Sequence, residues 1–529
     1  MTDTEVRSAA DEAPTARPYS GSTASTARRY GGFYKPKLWG IGSLGLGGTI
    51  VAGVMAIVAV LLMMTPVGVL GSAALLAVTF LVLRLASHPD RYGKTWFQRR
   101  AVRISHRRRV RSGENKYLPS TLIPLGSHRL PAVLASSTLA RWVTADGAEF
   151  SILRYPSRGH HVVSLRARPD GAALLDTQQV DAQVDVWGDW LASLAYEEGL
   201  VQGVVTIETS PDGGPLMQRA VRCRESARAH SLSKAWMDEV LDQYPRGSKG
   251  VSATITLTLR DPDPEHQADG RKVRRSDRQD VDELIAERLA VRLPHIMDDL
   301  APTGAGAVDL MMADDVIEVV KSAYEPDARG IYDEARARGE DPPVSLWSSV
   351  GPSGAVAEWD HYRHGQYASV TWEFTGFTTA TLTSKALLPL LEANDDVAIK
   401  RVTIIVRPVP PEQSSQIVER NHNDAEARLG DAKKPTARQR RAVRDADKAR
   451  QSEADGYAVA DVALLVTATV PYDQLSRAHA AVSRLAPSAR LHMRLMYGQQ
   501  DIGFAASIGV LGVVTESYLT LSPALINGV

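Results

Sequence analysis

A run of 45 residues without a charged side chain, from Trp39 to Leu83, constrains this chain more than any other feature. A bilayer core requires about 20 apolar residues per helix, and the run is broken by one proline, in Thr65-Pro66. Helices of soluble proteins rarely lack charge on every face. The run therefore predicts two transmembrane helices joined by a tight turn, within residues 38–84.

Basic residues on both sides of this run predict its orientation. Arg28 and Arg29 precede it, and the segment from Arg84 to Arg111 holds ten basic residues and one acid. Positively charged flanks remain in the cytoplasm. The sequence thus predicts a multi-pass inner-membrane protein with both termini cytoplasmic. Residues 1–37, rich in Ser, Thr, Ala and Pro, predict a disordered tail.

The basic segment that follows, residues 85–125, is interpreted as a juxtamembrane neck. Each basic side chain near an anionic headgroup contributes about 1 kcal/mol, so anionic lipids are the favoured contact. A partner protein is an alternative, and nucleic acid is considered but not favoured. The candidate contact residues are Arg99, Arg100, Arg103, Arg107, Arg108 and Arg109.

The remaining chain contains one order of elements twice: strand, helix, strand, helical pair, strand, helix, strand. The first pass is predicted at 160–167, 176–196, 200–208, 215–243, 251–260, 277–293 and 306–311. The second is predicted at 367–374, 382–394, 399–407, 412–453, 459–470, 472–485 and 490–497. This order predicts an α+β fold of two related ferredoxin-like (split βαβ) units with helical-hairpin insertions. The units span 126–311 and 366–510, with a connecting region at 312–365 and a C-terminal tail at 511–529.

The helical pair of the second unit, residues 412–453, is strongly charged. Acids such as Asp445 and Asp447 are interleaved with its basic residues and weaken the positive field, which disfavours nucleic acid. We expect a solvated hairpin, and its docking on a partner subunit is the functional hypothesis. The candidate contact residues are Arg438, Arg440, Arg441 and Arg444.

Signatures of catalysis are missing from the sequence. No phosphate-binding G-x-x-x-x-G-K-[ST] motif occurs, and the single cysteine, Cys223, excludes a cysteine-based zinc or iron–sulfur site. Asp360, His361 and His364 have a ligand-like spacing, but nothing nearby completes a metal set. We therefore expect no cofactor, no metal and no enzymatic activity.

The beginning of the chain resembles an integral membrane protein family of actinobacterial integrative and conjugative elements. The resemblance is carried by ARRYGGFYKPKLWGIGSLGLGG, by HPDRYGKTWFQRR after the uncharged run, and by LPAVLASSTLARWVTADGAEFSILRYPSRGHHVVSLRARPDG and DTQQVDAQVDVWGDWLASLAYEEGLVQGVVTIETSPDGG. It covers most of the chain. The uncharged run is also similar to the small VirB-three-like subunit of type IV secretion systems.

The second half is similar, more loosely, to the N-terminal non-ATPase part of type IV secretion ATPases of the VirB-four class. The matching segments are TLTSKALLPLLEAN, AIKRVTIIVRPVP and YAVADVALLVTATVP. The resemblance implies an inner-membrane scaffold of a conjugative DNA-transfer apparatus that docks a separate ATPase and other membrane channel subunits, and homo-oligomerisation stays open. No functional residue is carried over. A type VII secretion component of the EccE kind is the alternative, and a membrane-anchored nucleic-acid-binding protein is another.

Overall fold

The chain folds, in a computed structural model, into a mixed α+β structure with 14 α-helices and a 13-stranded antiparallel sheet in its described part. The described residues are 30–31, 45–62, 68–86, 96–119, 130–144, 146–169, 171, 175–212, 214–226, 228–243, 249–261, 275–343, 345–377, 381–383, 385–430 and 434–515. The α+β class predicted from the sequence is thereby confirmed. Most of the predicted N-terminal tail lies outside the described residues.

The helices account for nearly all of the described residues before residue 113, and later helices cover one face of the sheet. They are α1 (Gly45–Leu62), α2 (Gly68–Ala86), α3 (Trp96–Ser112), α4 (Thr177–Ser193), α5 (Pro215–Arg224), α6 (Ser231–Gln243), α7 (Arg275–Leu300), α8 (Ala313–Tyr324), α9 (Ala328–Arg338), α10 (Leu388–Leu391), α11 (Pro411–Gly430), α12 (Ala437–Ala454), α13 (Leu475–Ser488) and α14 (Gln500–Ser507).

The strands form one large sheet and one short pair. They are β1 (Tyr30–Gly31), β2 (Lys116–Tyr117), β3 (Thr138–Val143), β4 (Glu149–Tyr155), β5 (His160–Arg168), β6 (Leu200–Pro211), β7 (Lys249–Arg260), β8 (Ala307–Leu310), β9 (Ala355–Ala357), β10 (Tyr362–His364), β11 (Tyr367–Phe377), β12 (Thr381–Leu382), β13 (Ile399–Pro408), β14 (Ala460–Pro471) and β15 (Leu491–Leu495). β1 pairs with β12, and the other strands belong to the large sheet.

The predicted transmembrane hairpin at 38–84 is wrong. Within the part of the chain that the structure describes, no helix combines the length and the apolar character needed to cross a membrane. The described helices in this region are α1, with 18 residues, and α2, with 19 residues that include Arg84. Both are shorter than the roughly 20 apolar residues of a typical span. The predicted multi-pass inner-membrane localisation is wrong for the same reason.

The same strand order occurs in both halves of the sheet. In the first half it is β8-β5-β7-β6, and in the second it is β15-β11-β14-β13. The halves meet where β6 pairs with β13, and there the Oγ1 atoms of Thr206 and Thr403 are 2.9 Å apart. Each half carries a helical pair at the same point, α5–α6 between β6 and β7 and α11–α12 between β13 and β14.

One predicted helix, at 382–394, is largely absent from the described structure. Only Leu388–Leu391 is helical there, and Pro389 lies in this single turn. Proline disfavours a helical conformation of the residue before it and has no N–H to donate. The apolar run that predicted a helix instead places Leu390 in the core of the second half.

Two hydrophobic cores lie under the helices of the two halves. In the first, Trp190 of α4 and Leu293 of α7 pack on Leu257 of β7. In the second, Val482 of α13 packs on Val466 of β14. The strictly alternating strand at 252–260 therefore buries its Ile and Leu side chains, as its pattern indicates.

The opposite face of the sheet is also covered. Residues 508–515, here called the strap, follow α14 and cross this face, and residues 508–514 are buried. Strap carbonyls accept hydrogen bonds from side-chain hydroxyls of the sheet. These pairs are Thr256 with Gly509, Thr258 with Gly512 (2.9 Å), Ser164 with Val510 (3.2 Å) and Tyr155 with Leu511 (2.9 Å). The strand at 252–260 thus has two buried faces, and the start of the predicted C-terminal tail belongs to the core.

The predicted connecting region, 312–365, is also structured. α8 packs Val316 and Val320 into a third core, which the strap residue Leu511 joins. β9 and β10 extend the sheet beyond β11. The region therefore contributes both strands and core to the fold.

Candidate docking surfaces

The arginines of α3 are sorted by helix geometry onto two faces. Successive residues of an α-helix are about 100° apart. We call the described residues after α3 the body. The helical spacing places Arg109 on the side of α3 that packs on the body, while the other arginine side chains point outward and are exposed. The helix contains no acidic residue. The exposed basic residues are Arg99, Arg100, Arg103, Arg107, Arg108 and Arg111.

Arg109 anchors α3 to the body. Its guanidinium pairs with the buried carboxylate of Asp501 in α14, with Nη1 3.3 Å from Oδ1. Burial by itself lowers the pKa of Arg109, but the charge and hydrogen bond of Asp501 outweigh it and raise the pKa. One turn earlier, the His106 ring meets the edge of Trp359 at 5.3 Å between centroids. Arg109 is therefore held against a buried carboxylate of the same chain.

The helical pair α11–α12 uses its acidic side chains internally. Small or apolar residues, among them Val418, Ala425 and Ala446, are buried in the pair. Several carboxylates then bond to polar groups of the same pair. These contacts are Ser414 with Glu453 (2.7 Å), His422 with Asp447 (3.3 Å) and Arg441 with Asp445 (3.5 Å). Arg441, one of the predicted contact residues, is therefore already paired.

The basic side chains of α12 remain on its outer surface. Arg440, Arg444 and Lys448 are exposed and follow one another at a spacing of four residues, which places them on one line of the helix. The side chain of Arg438 lies outside what the structure describes. The interleaved acids Asp445 and Asp447 bond to other residues of the pair, and the four-residue spacing of the three basic residues was the signal that could have revealed their common line.

Charged residues are also buried at the centre of the sheet, a feature that the sequence did not predict. Glu208 of β6 accepts a hydrogen bond from Arg401 of β13 at 2.6 Å and pairs with Arg329 of α9. Burial alone would raise the pKa of Glu208, but the two arginine charges lower it to about 2. This ion pair joins the two halves of the sheet.

A buried serine–histidine pair lies nearby. His364 Nε2 is 2.8 Å from Ser369 Oγ, and its Nδ1 is 2.6 Å from the carbonyl oxygen of Tyr324. Both side chains are fully buried, and Ser369 also contacts Thr469 Oγ1 at 2.7 Å. Burial lowers the pKa of His364 to about 4. Because solvent does not reach the hydroxyl and each polar atom already has a partner, the pair connects the sheet to α8 rather than facing a substrate.

The ligand-like spacing of Asp360, His361 and His364 does not create a common site. Asp360 and His361 bond to each other, with 2.9 Å between Oδ1 and Nδ1, whereas His364 points into the core. Across the described ranges, no group of three or more His, Cys, Asp or Glu side chains could hold a metal ion.

Comparisons with known proteins add no relative. No family model matches the chain, and no curated protein matches it. The two basic surfaces, on α3 and on α12, are therefore interpreted from their geometry and charge.

Proposed function

We propose that this protein is a non-enzymatic docking component of a type IV secretion or conjugative DNA-transfer apparatus, and that it holds a separate ATPase through α11–α12. The observation that carries the proposal is the exposed line of Arg440, Arg444 and Lys448. The neighbouring acids Asp445 and Asp447 bond to Arg441 and to His422 and Arg450, respectively, rather than to these three residues. A partner with a complementary acidic surface would find this line by electrostatic steering.

The topology supports a finer description of the body as two related ferredoxin-like units. A split βαβ unit with chain order 1-2-3-4 has the sheet order 4-1-3-2. The orders β8-β5-β7-β6 and β15-β11-β14-β13 both have this form, with antiparallel neighbours. In each unit the helical pair enters between the second and third strands. A repeated unit whose second copy carries a charged hairpin agrees with the likeness to the non-ATPase part of the VirB-four class.

The direct test is removal of the hairpin from the full-length chain. The backbone N–H of Val409 donates to the carbonyl of Val459 at 2.9 Å, so the ends of the insertion are adjacent. Residues 412–453 can therefore be replaced by a short Gly-Ser linker while β13 and β14 stay paired. We expect the hairpin-deletion variant to fold, but a P-loop ATPase should no longer co-purify with it from the native host.

A charge-reversal variant separates the basic line from the rest of the hairpin. Arg440→Glu, Arg444→Glu and Lys448→Glu together should abolish recovery of the ATPase. The matched control reverses three exposed arginines of α3, at 103, 107 and 108, and should leave ATPase recovery unchanged. The assignment to α11–α12 is contradicted if the hairpin-deletion variant still recovers the ATPase. It is also contradicted if only the α3 variant fails to recover the ATPase.

Nucleic-acid binding by α3 is a second candidate function, favoured by one observation. Arg103, Arg107, Arg108 and Arg111 lie on one outward face of a helix that has no acid. Binding through phosphates releases counterions, so the logarithm of the affinity falls with the logarithm of the salt concentration, by about 0.9 per phosphate neutralised. For a labelled DNA duplex, four phosphate contacts predict a slope of about −3.6 in the plot of log affinity against log salt concentration. Duplex binding with no salt dependence, or equal binding by the α3 charge-reversal variant, excludes this function.

A further inference from the structure

The outer face of α6 carries an exposed apolar stripe. Leu232, Trp236 and Val240 follow at intervals of four residues and are 72 %, 74 % and 40 % exposed, and Met237 beside them is 45 % exposed. Contiguous exposed apolar side chains mark interaction sites more often than scattered ones. Tryptophan is also enriched among the residues that dominate binding energy at interfaces.

The fold itself does not require this stripe. α6 is attached through its opposite side, where Leu241 is 3 % exposed and Lys234 pairs at 3.0 Å with Glu225, the residue that follows α5. A helix with apolar residues on two sides is typical of one that is covered on both. The helical pair at the same point of the second half buries its apolar residues and exposes charge. The outward stripe is thus particular to α6.

Charge beside the stripe indicates what covers it. Glu239 is exposed and lies about 20° from Leu232 on the helical wheel, and the exposed Asp242 lies further along the same flank, about 80° from Leu232. Asp238 also lies on this flank, but it is paired with Arg222 of α5 at 3.1 Å. In an antiparallel pair of two α6 helices this acidic flank would face the same flank of the other copy, which is unfavourable. The flank therefore favours a basic partner.

We propose that the α6 stripe is a docking site for an amphipathic helix of another protein, with an apolar stripe flanked by lysine or arginine. Helix-in-groove recognition uses anchors at such spacings, and Trp236 is the central anchor. The partner's basic flank pairs with Glu239 and Asp242. This site lies on the first half of the sheet and is independent of ATPase binding by α11–α12.

The test measures binding of two labelled synthetic helices to the full-length protein by fluorescence anisotropy. Both helices have about three heptads with leucine at the apolar positions, and their flanking residues are lysine in one and glutamate in the other. We expect the lysine helix to bind at least tenfold more tightly than the glutamate helix. The double variant Leu232→Ala, Trp236→Ala should weaken binding of the lysine helix at least tenfold, the loss typical of a central anchor.

The control substitution is Leu346→Ala, since Leu346 is 76 % exposed and lies far along the chain from α6. It should leave binding unchanged, and all variants should melt like the native protein because their side chains are on the surface. Equal binding of both helices, no binding of either, or full binding by the double variant overturns the proposal. So does sedimentation showing that the native protein self-associates through Trp236, because the occupant would then be a second copy.

Discussion

Substitution of Gly509 by alanine tests whether the strap is packed as tightly as the structure indicates. A Cβ atom at this position would lie 1.8 Å from Thr254 Oγ1 and 2.9 Å from the Cβ of Thr206. Both neighbours belong to strands at the centre of the sheet, so they cannot swing away like the end of a long side chain. Restoring an ordinary contact of 3.4 Å requires the strap to retreat by about 1.6 Å.

The expected loss of stability combines two effects. Forcing an extra methyl group into a packed core destabilises by about 1–3 kcal/mol. A retreat of that size also breaks the hydrogen bond from Thr256 Oγ1 to the Gly509 carbonyl, and such a bond contributes about 1 kcal/mol. We therefore expect Gly509→Ala to lower the free energy of unfolding by about 3 kcal/mol, a large part of the roughly 5–15 kcal/mol of a typical domain.

Urea denaturation followed by circular dichroism measures this change, with Gly188→Ala as the matched control. Gly188 lies within α4, and a Cβ there meets nothing within 4 Å. Alanine in a helix interior is favoured over glycine by about 0.5–1 kcal/mol, so the control should be neutral or stabilising. If Gly509→Ala unfolds at the same urea concentration as Gly188→Ala, the strap does not pack on the sheet as described.

Three further predictions concern buried charge. Glu208→Gln should destabilise by about 3–5 kcal/mol in urea denaturation at pH 7, because it leaves Arg401 buried without its carboxylate; a loss below 1 kcal/mol would contradict the ion pair. The pKa of His364 is lowered from 6.5 to about 4, so the unfolded chain binds the proton first, and stability falls by about 3 kcal/mol as pH drops through that window. His364→Gln should flatten this dependence between pH 7 and pH 4, and an unchanged slope would refute it. Asp501→Asn should loosen α3 by weakening its bond to Arg109, which faster trypsin cleavage after the α3 arginines would detect; cleavage at the native rate would argue against the anchor.

The order of elements in the body was predictable because local signals agreed with the fold. The predicted helix at 176–196 begins at Asp176, whose side chain accepts from the backbone N–H of Gln179 at 2.8 Å in a capping box. The strands predicted at 200–208 and 399–407 correspond to β6 and β13 with similar bounds. The pairing of β6 with β13, which joins the two halves in one sheet, was not predicted, since it depends on contacts between residues nearly 200 positions apart.

The uncharged run shows the limit of composition as a guide. The absence of charge from Trp39 to Leu83 predicts two helices, and α1 (18 residues, Gly45–Leu62) and α2 (19 residues, Gly68–Ala86) lie there, with α2 continuing beyond the run. The number of uncharged residues and the number of helical residues therefore have to be evaluated separately.

The burial of polar side chains was the main structural feature that the sequence pattern did not predict. Threonines at 254, 256 and 258 alternate with apolar residues, a pattern typical of a solvent-exposed face, yet Thr256 and Thr258 are fully buried under the strap. Their hydroxyls supply donors that the strap carbonyls need, because the strap runs over the sheet instead of pairing at its edge. The apolar side chains of the strap and the threonine hydroxyls thus satisfy different requirements of one interface. Hydrophobic periodicity shows only where apolar surface is buried and does not show where hydrogen bonds form. The same threonine pattern is therefore compatible either with a face exposed to water or with a face covered by a crossing segment.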